Sequence, residues 1–239
     1  MKKSMPWIRC AGFLVGLAVI LGICDFCFAP SGYVRFILHE VNRKDTQYDT
    51  IILGASHARS AINPEYLDEE LGTNTLNLAI PGETVKDAYY LLKDACESND
   101  VKTVIMDVDY QYWMDEQPQG YFTEPFICQN ITNLKVKTEY LLDNWDTIDL
   151  RNVLVRRLSW DCTWSSVKQN VSTKMTEAYR EYSIEAAGVD GKVEGADGPY
   201  IGKGFFYRDT FGGKPGGADY IDLWVGRDKS EEHTSELQS

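Results

Sequence analysis

Three apolar runs set the frame of the chain: residues 48–53 (YDTIIL), 75–80 (TLNLAI) and 102–108 (KTVIMDV). Each is short and apolar, the pattern of a strand, and the first, with Ile51, Ile52 and Leu53, reads as a buried one. Helical patterns lie between them. Residues 64–71 follow Asn63-Pro64, an N-cap with proline at the first helical position, and stop at Gly72, a good C′ residue. Residues 85–98 carry Val85, Ala88, Tyr89, Leu91, Leu92 and Cys96 at helical spacing, behind a Thr84 that can cap them. Strand, helix, strand, helix, strand within about 60 residues predicts an α/β fold with a parallel sheet and right-handed crossovers.

A longer apolar run precedes this frame. Residues 10–24, extended by 26–30 and interrupted by Asp25, follow Lys2, Lys3 and Arg9. A span of about 20 such residues crosses a bilayer. The basic residues before it predict a cytoplasmic segment 1–9, a transmembrane signal anchor 10–30 and an extracytoplasmic remainder. A cleaved signal peptide is the competing reading. No small-x-small cleavage site is present, and Ile23 is too bulky for the lipoprotein-like box Leu21-Gly22-Ile23-Cys24. Residues 31–47 read as a membrane-proximal amphipathic helix (Val34, Ile37, Leu38 and Val41 on one side) and a polar linker.

Residues 48–228 then form the α/β domain. Its later part predicts helices over 134–142 and 150–160, a longer polar helix over 165–187, a glycine- and charge-rich surface excursion over 188–217, and a strand near 220–225. Residues 229–239 stand apart: the stretch SEEHTSELQS reads like an in-frame translation of a sequencing adapter. The expectation is an artefactual tail on a truncated domain.

Composition narrows the partners. The net charge is -12, with 36 acidic against 24 basic residues, which argues against nucleic acid. The 14 Tyr and 6 Trp suit core and interface packing better than a sugar platform. Of the six cysteines, Cys96 falls on the predicted helix as a small buried apolar residue, and Cys128 and Cys162 could pair in an oxidising compartment. Cys24 and Cys27 lack further metal ligands. Asp107 and Asp109 resemble the DxD of metal-dependent phosphatases, but Gln111 stands where a small β-branched residue belongs. No G-x-G-x-x-G follows the first strand, and no cofactor or metal is expected.

In parallel sheets, function gathers at the carboxyl ends of the strands. Those ends are residues 54–57, 80–83 and 107–110. Ser56 sits in a tight turn between strand and helix, the geometry that holds a serine nucleophile clear of a sheet. Its own N–H and that of Gly82 could stabilise an oxyanion. The plainer alternatives remain: Ser56 as a turn residue or a helix cap, Gly82 as a helix-entry turn. Ala58 occupies the final glycine position of G-x-S-x-G. His57 adjoins Ser56, so the side chains diverge; with Arg59 and Asp109 it is a substrate-contact candidate rather than the base. His39 lies near the membrane and reads as structural.

Gly54-Ala55-Ser56-His57, the Asn77-x-Ala79-x-x-Gly82 turn and the order of elements resemble the membrane-anchored branch of the SGNH/GDSL hydrolase superfamily. That branch includes proteins similar to the D-alanyl-lipoteichoic acid transfer protein and the acetyltransferases of bacterial exopolysaccharides. The resemblance covers residues 48 to about 110. It implies a flavodoxin-like three-layer parallel sheet, Ser56 as nucleophile and Gly82 as second oxyanion donor. The implied activity is a serine esterase or O-acyltransferase acting on acyl esters of a cell-envelope polysaccharide or teichoic acid. The implied partners are that polymer or an acyl donor, and a membrane-bound O-acyltransferase. The family's third block, Gly-x-Asn-Asp, reads Asp107-Val108-Asp109-Tyr110 here, without the Asn. Its Asp-x-x-His dyad is absent, as expected of a truncated chain, which would then be inactive. The alternative is a non-catalytic membrane-anchored scaffold that binds envelope polymer.

Overall fold

The apolar run near the N-terminus is helix α1, Met5–Phe28, in the computed structural model of the chain, which describes residues 5–29, 31–108, 123–146, 162–187 and 200–207. The stretch Trp7–Phe28 has a mean hydropathy of 2.3, and none of its apolar window is buried. At 1.5 Å per residue it is about 33 Å long, enough for the roughly 30 Å hydrocarbon core of a bilayer. Among the described residues, one helix is long and apolar enough to span a membrane, and it starts earlier than residue 10.

Helix α2, Tyr33–Val41, turns Tyr33, Phe36, Ile37, Leu38 and Val41 inward, one face at helical spacing. The chain then enters β1, Thr50–Leu53, whose four residues are all buried. Helices α3, Ser56–Ala61, and α4, Pro64–Leu71, lead to β2, Thr75–Asn77. Helix α5, Val85–Ser98, leads to β3, Thr103–Met106. The three strands form one parallel sheet in the order β2-β1-β3, with Ile51 level with Leu76 on one side and Val104 on the other.

Helices cover both faces of the sheet. Ile51, Leu53 and Leu76 belong to the main core with α2 and the α5 residues Ala88, Tyr90, Leu91 and Ala95. Ile52 packs on the other face with Ala58, Ala79, Leu67 and Ile105. β1 therefore reads as an unbroken aliphatic run because both of its faces are buried. Short-range signals place the crossover helices. Asn63 caps α4 by accepting from the Glu65 N–H at 3.0 Å, and Gly72 ends it at φ 66°. Thr84 and Asp87 form a reciprocal capping box on α5.

Helices α6, Thr123–Asn130, and α7, Leu134–Asp143, add Ile127, Cys128, Val136 and Tyr140 to the main core. Beyond them the expected long helix over 165–187 is broken. It is α8, Val167–Lys174, then α9, Glu177–Arg180, then a 3-10 turn at Ile184–Ala187. Thr176 starts a new helix by accepting from the Tyr179 N–H at 3.2 Å, and Tyr182 at φ 56° cannot continue it.

The expected excursion over 188–217 contains core. β4, Tyr200–Gly202, and β5, Phe205–Phe206, form an antiparallel hairpin whose two phenylalanines are buried. Lys203 and Gly204 both have positive φ, 47° and 84°, which suits a tight two-residue hairpin turn. The Asn77 N–H donates to the Lys203 carbonyl at 2.8 Å, fastening the hairpin to β2.

β3 is the least covered strand: only Ile105 packs, and Val104 and Met106 are 43% and 37% exposed. Two expectations about cysteines change. Cys96 is exposed, because Ala88, Leu91 and Ala95 take the inward face of α5. Cys128 is buried and Cys162 half-buried, and the two are not joined in a disulfide. The helix expected over 150–160, the strand near 220–225, residues 229–239 and Asp109 lie outside the described residues.

Candidate active site

The turn after β1 is built around Gly54, at φ 144°. A Cβ there would lie 2.8 Å from the Ala58 Cβ and 2.9 Å from the Asp107 Cβ, too close for any side chain. This contact lets α3 start at once against the end of β3. The N-cap of α3 is Ala55, in extended conformation and with no capping side chain. Ser56 is the first helical residue, half-buried, with His57 exposed beside it. Its hydroxyl does not cap the helix, so the cap reading falls away. Its N–H is one of the first-turn amides that have no acceptor within a helix.

Arg59 points inward. Its side chain is buried, and the guanidinium lies over the Phe206 ring at 4.6 Å and the Tyr33 ring at 5.4 Å. Two carbonyls of the Ser56 helix and its exit, Ala58 and Ile62, accept from the Asn77 side-chain amide at 2.8 and 3.0 Å. The Asn77 oxygen accepts from the Ala79 N–H at 3.2 Å. Asn77 thus clamps α3 to the end of β2.

Beyond β2, Leu78, Ala79 and Ile80 are buried and lead into the Pro81-Gly82 turn, where Gly82 is at φ 75°. Glu83 completes the site, and nothing in the sequence singled it out beyond its place at a strand end. Its carboxyl group is fully buried. It accepts from the Gly54 N–H and the Ile80 N–H, each at 2.9 Å. One side chain therefore ties the turn that carries Ser56 to the loop that carries Gly82. Burial pushes its pKa well above the ordinary value; the two amides work the other way. Asp87, one turn along α5, is also raised by burial, against hydrogen bonds from the Tyr140 hydroxyl at 2.7 Å and from Thr84.

Asp107 closes the third side. Its N–H donates to the Leu53 carbonyl at 2.9 Å, beside Gly54. The ends of β1, β2 and β3 therefore meet at Gly54–Ser56, Ile80–Glu83 and Asp107. Among the described residues, no base is hydrogen-bonded to the Ser56 hydroxyl. His39 lies on α2, stacked flat on Tyr182 at 3.8 Å, with its pKa lowered by burial. No group of three or more His, Cys, Asp or Glu side chains suited to a metal ion occurs among the described residues.

The architecture defines a mixed α/β protein with a small parallel sheet and one apolar N-terminal helix. Comparison with protein-family models, curated proteins and solved structures finds no match to this chain.

Proposed function

We propose that the protein is a membrane-anchored serine esterase or O-acyltransferase of SGNH type, with Ser56 as nucleophile. The observation that carries the reading is the position of Ser56. It starts a helix directly behind the central strand, its hydroxyl is not used as a cap, and Glu83 holds its turn against the Gly82 loop. The strand order β2-β1-β3 is how a flavodoxin-like sheet begins, with its switch point between β1 and β3. Gly54 and Asp107 meet at that point.

In the proposed reaction the Ser56 oxygen attacks an acyl ester. The Ser56 and Gly82 amides stabilise the oxyanion. The ester's alcohol leaves with a proton, and an acyl-serine remains. The hydroxyl proton passes to a general base, the part the family's Asp-x-x-His dyad would supply; that dyad is absent from this sequence. Water then gives hydrolysis, and a polymer hydroxyl gives transfer. An extracytoplasmic domain behind α1 faces a cell-envelope polysaccharide or teichoic acid, or an acyl donor passed on by a membrane-bound O-acyltransferase. His57 is the exposed group nearest in sequence to meet that substrate; Arg59, expected beside it, is buried over Phe206 and Tyr33 and packs beneath the helix instead.

A fluorophosphonate probe tests this on the full-length protein in its membrane. Labelling that maps to Ser56 and vanishes in Ser56→Ala is expected. The unengaged Ser56 hydroxyl also fits a non-catalytic scaffold that binds envelope polymer. An unlabelled but folded protein that retains polymer binding would favour that second reading.

A further inference from the structure

The end of α1 leaves backbone carbonyls that no helical N–H can reach. In a helix that leaves a membrane, these fall at the lipid headgroups. Here the protein satisfies them with side chains of α8. The Asn170 side-chain amide donates to the Cys27 carbonyl at 2.8 Å and the Ala29 carbonyl at 2.9 Å. The Lys174 ammonium donates to the Phe26 carbonyl at 2.7 Å and also to the Ala29 carbonyl. The Cys162 N–H donates to the Phe28 carbonyl at 3.1 Å.

Asn170 and Lys174 are four residues apart, on one face of α8, and both are buried. Lys174 places a cation at the negative end of α1, the favourable end of its dipole. Its ammonium also lies 5.3 Å from the Phe26 ring centroid. α8 is therefore latched to the last turn of α1 and does not trail from a loose tether.

The latch carries Trp164 to the same level. Its ring meets Phe28 edge-on at 4.9 Å between centroids, yet 84% of the residue is exposed. Met175, after Lys174, is also exposed. A large amphipathic ring that sits uncovered beside the last residue of an apolar helix has the chemistry of an interfacial anchor. The geometry points to a membrane-contact surface at residues 162–175, with Trp164 in the headgroup layer and Asn170 and Lys174 fixing its height. The occupant is the surface of the bilayer that α1 crosses, and the inference rests on that reading of α1. It replaces a domain swinging on a linker with one seated on the membrane.

The test reconstitutes the full chain in phosphatidylcholine–phosphatidylglycerol vesicles. Some carry bromine near the headgroup and some deep in the acyl chain. Flotation reports anchoring separately from contact. The expected result is that the wild-type chain floats and that headgroup-side bromine quenches a blue-shifted tryptophan component. Trp164→Phe should still float and lose most of that component, the remainder coming from Trp7 at the other end of α1 and vanishing in Trp7→Phe/Trp164→Phe. Trp145→Phe, which removes another exposed tryptophan, should keep it. Lys174→Met should float with the component weakened. A floating chain whose quenching is the same in wild type and Trp164→Phe overturns the contact and leaves the anchor standing. A folded chain that does not float overturns both.

Discussion

Replacing Glu83 by glutamine tests two features of that side chain, its joining of two loops and its raised pKa. In the wild type both carboxyl oxygens accept a backbone N–H, from Gly54 and from Ile80, at 2.9 Å. Glutamine has one acceptor oxygen, so one N–H then faces an NH2 group. A buried donor left without an acceptor costs about 1–3 kcal/mol. Glu83→Ala orphans both amides and opens a cavity, at least double that cost. Against a typical stability of about 5–15 kcal/mol, glutamine is the informative change and alanine risks unfolding.

The pH dependence follows from the raised pKa. The native state holds the Glu83 proton more tightly than the unfolded chain, whose ordinary value is 4.5. Above 4.5 the unfolded state releases the proton first. The wild type therefore has this contribution in full below 4.5 and loses it as pH climbs towards the folded pKa. Glutamine has no proton to lose. Glu83→Gln should be destabilised most near pH 4.5, and the gap should narrow as pH rises. The raised Asp87 contributes a slope of the same sign, present in both proteins. The assay is urea unfolding of the full chain in detergent micelles from pH 4.5 to 8.5, followed by circular dichroism. A gap that is constant with pH, or absent at pH 4.5, refutes the buried protonated carboxyl. If the loops frame the nucleophile, probe labelling of Ser56 should also fall in the folded variant.

Gly54→Ala would press a Cβ against Ala58 and Asp107 at φ 144°, a strained backbone as well as a clash. A loss of more than about 2 kcal/mol is expected in thermal unfolding, and a fully stable variant contradicts the tight turn. Asn77→Ala removes the amide that bridges α3 and β2, and should lower stability by about 1–3 kcal/mol and raise hydrogen exchange at the Ser56 helix. Ser60→Ala runs the other way. Its hydroxyl oxygen is buried without a hydrogen bond, so stability should hold or rise by up to about 1 kcal/mol. A clear loss would mean that the hydroxyl has a partner.

What could be read from the chain was set by neighbours in sequence. The bounds 64–71 and 85–98 match α4 and α5 because Asn63, Gly72 and Thr84 act within a few residues of themselves. The parallel sheet was legible because each strand is a local aliphatic run. What escaped depends on distant partners. Arg59 is polar by type and becomes buried because Phe206 arrives from a hairpin far along the chain. Glu83 looked like one more acidic residue before a helix until its oxygens met the amides of Gly54 and Ile80. The exposed side chains of β3 show the same dependence: an aliphatic run predicts a strand but not how much will cover it.

Ser56 shows how structure changed one reading. From sequence, a nucleophile and a helix cap were both compatible with a serine between strand and helix. A cap belongs to the residue before the helix, and Ala55 holds that position. The serine lies one place further on, with its hydroxyl unspent, in a turn so tight that only glycine fits before it. The Asn77 clamp below and the Glu83 clamp beside it are partners that a capping serine would not need, because a cap is satisfied within its own helix. Asn77 on β2 holds α3 itself, and Glu83 in the loop after β2 holds the turn that enters it, two fastenings for a helix of six residues. They hold one side chain in place at the meeting point of three strand ends, and that is the reason to look for chemistry at Ser56.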